Sequence, residues 1–153
     1  MIRTFLLLVV IFTLGCNKDD GNPNPSNPNV IPYQEGLTTN YITINNITRK
    51  YLVYRPTGMT AVNAVVTVLH GGGGLGIGVS EIGAHPLSVF RTIADNEKFL
   101  VVYPEGSLDI QGNPGWNDCR SDDISGSQGD DITFLKQLNS KLFSYDYRLV
   151  RVY

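Results

Sequence analysis

Two short apolar runs, Ala64–Leu69 and Phe99–Tyr103, set the limits on how this chain folds. Ala64, Val65, Val66, Val68 and Leu69 make up most of the first, and the second is unbroken. Runs this short and rich in β-branched residues suit strands, and their lack of alternation predicts burial on both faces. Between them Leu87, Phe90, Ile93 and Ala94 recur at helical spacing, which predicts a helix over Pro86–Asn96 with proline in its first turn. Strand, helix and strand in succession form the unit from which parallel sheets are built.

The flanking segments extend the pattern. Tyr41–Ile44 is β-branched and aromatic, Asn45-Asn46 reads as a turn, and Arg49–Arg55 alternates up to Pro56. Together they predict an antiparallel hairpin with one face open to water. Pro104 stops the second apolar run, and a polar loop covers Glu105–Gly129. Asp130 or Asp131 caps a further helix whose expected inner face is Ile132, Leu135, Leu138 and Leu142. Leu149–Tyr153 reads as one more strand, expected in the middle of the sheet. The expected fold class is α/β: an antiparallel amino-terminal hairpin, then parallel strands alternating with helices. At 153 residues and 42% hydrophobic content, one domain with one core is the expectation.

The amino terminus has a different character. Arg3 precedes an apolar stretch, Phe5–Leu14, and the small residue Gly15 precedes Cys16. About 20 apolar residues are needed to span a bilayer. Residues 1–15 therefore read as an export signal. Thr13-Leu14-Gly15-Cys16 resembles a bacterial lipobox, with Thr13 in place of the usual leucine-like residue. That resemblance implies lipidation of Cys16 and an anchor in the outer membrane or at the cell surface. The alternative is a plain secretory signal and a secreted protein. Residues 16–29 alternate asparagine and proline after Lys18-Asp19-Asp20 and read as an extended tether, so the folded domain is expected over 30–153. A net charge of −2 with no basic stripe argues against a nucleic-acid partner.

Six of the sixteen glycines fall within residues 71–78, directly after the first apolar run. The chain there reads Val68-Leu69-His70-Gly71-Gly72-Gly73-Gly74. A strand that delivers His-Gly-Gly-Gly at its carboxyl end is the arrangement by which α/β-hydrolases supply a backbone N–H to an oxyanion hole. Glycine lets the backbone approach a ligand without a Cβ in the way. His70, Gly71, Gly72 and Gly73 are the candidate loop, with His70 orienting it rather than serving as a base. Gly71, Gly73 and Gly76 also spell the dinucleotide-binding pattern, with Asp95 or Glu105 as the candidate ribose-binding acid. No cofactor is expected, because the pattern lacks its usual context. Two histidines, His70 and His85, with no clustered thiols or carboxylates suggest no metal site.

Around this loop, residues 40 to 153 resemble the carboxylesterases of the polyhydroxybutyrate depolymerase and feruloyl esterase-like type, a branch of the α/β-hydrolases. The matching pieces occur in order. They are Tyr51-Leu52-Val53-Tyr54-Arg55-Pro56, Val66–Gly74, Phe99-Leu100-Val101-Val102-Tyr103-Pro104-Glu105-Gly106, Trp116-Asn117 with Cys119, Asp130-Asp131-Ile132 with Phe134-Leu135, and Arg151-Val152-Tyr153. The resemblance implies a serine carboxylic-ester hydrolase acting on a small-molecule or polymer ester. It also implies an incomplete α/β-hydrolase sheet, because the family's G-x-S-x-G elbow follows the strand that closes this sequence. Nucleophile, acid and base are thus expected beyond Tyr153, and the chain as given is expected to be inactive. Ser127, in Ser125-Gly126-Ser127-Gln128-Gly129, is the nearest approach to an elbow, but it lies in a polar loop. Asp122 and Asp123 read as solvated, and Asp130 and Asp131 as caps. Trp116 and Asn117 line a substrate cleft by resemblance, and Trp116 reads equally well as a loop anchor. Cys119 is implied to pair with a cysteine outside this sequence. The rival to the esterase is a non-catalytic surface lipoprotein that binds polysaccharide or protein.

Overall fold

The computed structural model describes residues 31–117 and 129–143. Within them lies an α/β fold built on a mixed four-stranded sheet in the order β1-β2-β4-β3. Strand β1 (Gly36–Ile44) pairs antiparallel with β2 (Ile47–Arg55). Strand β2 pairs antiparallel with β4 (Leu100–Pro104), and β4 pairs parallel with β3 (Val65–Thr67). Parallel neighbours need a crossover. Here it consists of a short helix α1 (Gly76–Ser80), a 3-10 turn over Pro86–Ser88 and helix α2 (Val89–Glu97). After β4 a small two-stranded ribbon, β5 (Ser107–Leu108) with β6 (Pro114–Gly115), leads toward helix α3 (Asp131–Phe143).

The hairpin forms and is longer than expected at both strands, but β2 has no face open to water along Tyr51–Tyr54, which are all buried because core clusters cover both of its faces. Its turn places Asn45 at φ 49° and Asn46 at φ 63°. A two-residue hairpin turn of this kind needs positive φ at both central residues, and asparagine tolerates it better than most side chains. Ile44 and Ile47 then face each other across the first pair of the register.

Alternation along the central strands divides the core in two. Tyr51, Val53, Leu100 and Val102 point to one face, where α3 covers them with Phe134, Leu138 and Leu142. Leu52, Tyr54, Val101 and Tyr103 point to the other, where Val79 of α1 and Ala94 of α2 close over them. Helices therefore lie on both faces of the sheet, which is the layering expected of an α/β domain.

Several expectations need correcting. The run Ala64–Leu69 is a strand only over Val65–Thr67, and it is not buried on both faces. Leu69 is 42% exposed, because β3 has β4 on one side and, among the described residues, no strand on the other. Helix α3 turns Leu138 and Leu142 inward as expected and packs Leu135 partly buried against the same core, but its first turn is rotated from the expected phase. Ile132 is 65% exposed, and Asp131, Phe134, Leu138 and Leu142 form the inward stripe. The cause is Asp131 itself, whose buried ion pair with Arg49 fixes the first turn, so residues three, seven and eleven positions later share its face. Ile93 is 39% exposed, whereas Ala94 of α2 is fully buried and Leu87 and Phe90 pack partly buried against the same core, as expected. The Glu105–Gly129 loop is not wholly irregular, since it contains the β5–β6 ribbon. The export signal with Cys16, the tether, Cys119, Asp122, Asp123, Ser127 and the strand Leu149–Tyr153 lie outside the described residues. Among those described, no helix is long and apolar enough to cross a membrane.

Candidate functional site

Strand β3 ends at Thr67, and Val68 still follows β4 through its N–H bond to the Val102 carbonyl at 2.8 Å. Two residues on, the His70 side chain is enclosed, with 2% of the residue exposed. The chain then turns. The Gly74 N–H donates to the Gly71 carbonyl at 3.0 Å, and Gly73, third in this turn, has φ +72°. Glycine is the usual residue at that position of such a turn, where other side chains are strained. The Gly73 N–H is taken by the Pro114 carbonyl at 2.9 Å. Among the described residues no acceptor meets the N–H of Gly71 or of Gly72. The candidate loop thus divides its labour. Gly73, expected to be a possible donor, is a structural turn residue, and Gly71 and Gly72 present the free donors.

His70 is the post around which the loop is built. Its Nδ1 lies 2.7 Å from the Gly71 carbonyl, and its Nε2 lies 2.9 Å from the Gly106 N–H. A carbonyl only accepts and an amide N–H only donates, so the tautomer with hydrogen on Nδ1 serves both bonds. The indole N–H of Trp116 donates to the His70 carbonyl at 2.8 Å, and the two rings lie 5.0 Å apart at 34°. Of the two readings for Trp116, the loop anchor is the one its contacts support. Neither Trp116 nor Asn117 lines the neighbouring cleft.

Behind the loop runs a connected set of charges. Glu105 is buried just after β4, with one carboxylate oxygen accepting the Gly76 N–H at 2.9 Å and the other 3.3 Å from the Lys50 ammonium. The Arg49 guanidinium donates to the Glu105 carbonyl at 3.0 Å and to Asp131 at 2.7 Å, and its carbon sits 4.1 Å over the Phe134 ring. The other oxygen of Asp131 accepts the Asn117 N–H at 2.6 Å. Asp131 is therefore not a cap. The capping role belongs to Asp130, which accepts the Thr133 N–H at 3.0 Å, and that bond holds its carboxyl below the usual range. Asn117, expected in the cleft, instead ties the end of the ribbon to α3.

This arrangement bears on the dinucleotide reading. Helix α1 has five residues, and the N–H at its start is already spent on the Glu105 carboxylate. Asp95 is engaged as well, accepting the Tyr54 hydroxyl at 2.6 Å. The start of α1 and both candidate acids are thus already engaged within the fold. Among the described residues no three side chains of His, Cys, Asp or Glu gather as a metal site. His85 sits at the mouth of the 3-10 turn, where its Nδ1 accepts the Leu87 N–H at 3.1 Å. That is a cap by an unusual side chain.

An open cleft of about 420 Å³ lies beside the loop. Its walls include Ile47, Lys50, Leu75, Glu105, Leu108 and Pro114. Sequence reasoning named the glycine loop and missed the frame that holds it. Arg49 carried a signal: it shares strand parity with the core residues Tyr51 and Val53, and a cation on a buried stripe needs a partner. Glu105 was visible as an acid directly after an all-buried strand.

No protein-family model matches the chain, and no curated protein matches it.

Proposed function

We propose that these residues form the oxyanion-binding half of an exported serine carboxylic-ester hydrolase of the α/β-hydrolase type. The observation that carries the reading is the pair of N–H groups on Gly71 and Gly72, which meet no acceptor among the described residues, at the carboxyl end of a strand in a mixed α/β sheet. Ester cleavage passes through a tetrahedral species with negative charge on the former carbonyl oxygen. Fixed donors stabilise that oxygen, and loss of one side-chain donor costs about 3 kcal/mol of barrier. In this reading a serine outside residues 1–153 attacks the carbonyl, a histidine takes its proton and returns it to the leaving alcohol, and water releases the acid from the acyl-enzyme. The apolar walls of the adjacent cleft suit the acyl or aromatic part of the ester, and hydroxyalkanoate and plant-phenolic esters are the candidate classes. Cys16 is the proposed lipid anchor.

The direct test is to read the DNA beyond the codon for Tyr153. A glycine-x-serine-x-glycine elbow supports the hydrolase. Unrelated sequence after a clean stop favours the non-catalytic surface lipoprotein instead. Residues 1–153 alone are expected not to hydrolyse a p-nitrophenyl ester faster than their Gly72→Pro variant, and a clear excess would overturn the placing of the nucleophile. Incorporation of labelled palmitate, abolished in Cys16→Ala, tests the anchor.

A further inference from the structure

The glycine loop is held from both ends by one dipeptide. At its start the Gly106 N–H grips His70 Nε2, while His70 Nδ1 holds the Gly71 carbonyl. At its end the Glu105 carboxylate grips the Gly76 N–H. The dipeptide is itself immobilised. The Glu105 N–H donates to the Lys50 carbonyl at 3.0 Å, its carbonyl accepts from Arg49, and its second carboxylate oxygen faces the Lys50 ammonium. Gly106 has no room for a side chain, since a Cβ there would overlap the backbone of Gly115. Gly115 adjoins Pro114, whose carbonyl holds Gly73.

We infer that Glu105 is a positioning residue for the oxyanion loop. It rests on the hydrolase reading for its purpose, but not for its geometry. Glu105 touches no reacting atom in this scheme. It acts through Gly76 and, with its neighbour Gly106, sets the distance between the loop's two ends. That distance fixes where the Gly71 and Gly72 N–H groups aim. A bond from a charged carboxylate to a backbone N–H is among the stronger hydrogen bonds available for such a task. A misplacement of about 1 Å at a reacting centre is enough to cost about a hundredfold in rate.

Amide hydrogen exchange on this chain tests the clamp without any need for catalysis. In Glu105→Ala the amides of Gly73, Gly74 and Gly76 should exchange about tenfold faster, while Val53 and Val102 in the sheet keep their wild-type rates. Glu105→Gln keeps an acceptor of the same reach and should restore most of the protection. Should the alanine variant not fold, Glu105→Asp carries the same prediction, because it keeps the charge and withdraws the carboxylate by one carbon. Faster exchange confined to Gly76 would overturn the inference and leave Glu105 as a partner of the short helix alone. Equal loosening of loop and sheet would overturn it too. A parallel assay of the complete encoded protein on p-nitrophenyl butyrate should show kcat reduced at near-constant KM in Glu105→Ala and recovered in Glu105→Gln. A wild-type protein that carries out no ester hydrolysis removes the hydrolase reading, while the exchange pattern still decides the clamp.

Discussion

Strands β3 and β4 lie side by side, with Val65 opposite Leu100 and Thr67 opposite Val102, and their surroundings differ. Every residue of β4 is buried. It has a strand on each edge and helices over both faces, so neither its backbone nor its side chains meet water. The residues of β3 are half-buried or exposed. Its side chains touch the same two cores at their margins, with Val65 against one and Val66 against the other. Two runs of similar composition thus end as a central strand and, among the described residues, an outer one. Burial is decided by what stands next to a strand, and the run itself reports only what would suit a buried place.

The largest effect that would sharpen this contrast comes from opening the ground around β4. Asp131→Ala leaves the Arg49 guanidinium buried beside the end of β4 without its carboxylate, and a loss of about 3–5 kcal/mol is expected in urea unfolding. A loss below about 1 kcal/mol would mean that water reaches Arg49 and that this end of the sheet is not enclosed. Next, Leu100→Ala in β4 should cost about 3 kcal/mol. Truncating the neighbouring strand, Val66→Ala in β3, should cost about 1 kcal/mol, since it removes fewer atoms and part of that site already faces solvent. Equal losses would break the comparison.

A further effect, confined to alkaline solution, is a pH dependence. Burial pushes the Tyr103 phenol up to about 12, and burial with the bond to Asp95 raises Tyr54 in the same direction. Below pH 10 the phenol is neutral in the folded and the unfolded chain alike. As pH rises from 10 toward 12 the unfolded chain releases its proton first, so stability falls, by about 2–3 kcal/mol from Tyr103. Tyr103→Phe should flatten that fall with little change at pH 7, because the Tyr103 hydroxyl has no hydrogen-bond partner among the described residues. A steeper fall in the variant would count against an enclosed β4.

Much of the secondary structure was legible in the sequence, and the physical reason is locality. The Asn45-Asn46 turn, β4 and the start of the crossover at Pro86 each depend on residues within a few positions of one another. The glycine loop was legible for the same reason, since a turn after a strand needs only its own residues. What escaped was set by distant pairs. The phase of α3 follows from an ion pair between residues 82 positions apart, and apolar spacing alone turned Ile132 the wrong way. Glu105 stood in the sequence as an acid after a strand, with nothing nearby to say that Gly76, 29 positions earlier, was its partner.

The distance along the chain between those partners also orders events in time. His70 and its glycines leave the ribosome early, but Gly106 and Trp116, which hold the ring and the carbonyl of His70, emerge 36 and 46 residues later. Asp131, which ties Arg49 and Asn117 together, comes later still. Each closure must wait for its partner and overcome the entropy of a long loop. The glycine turn is therefore made well before it can acquire its shape. A chain halted before residue 131 would carry the glycine motif in full and lack the tie that Asp131 provides between the sheet, the ribbon and α3.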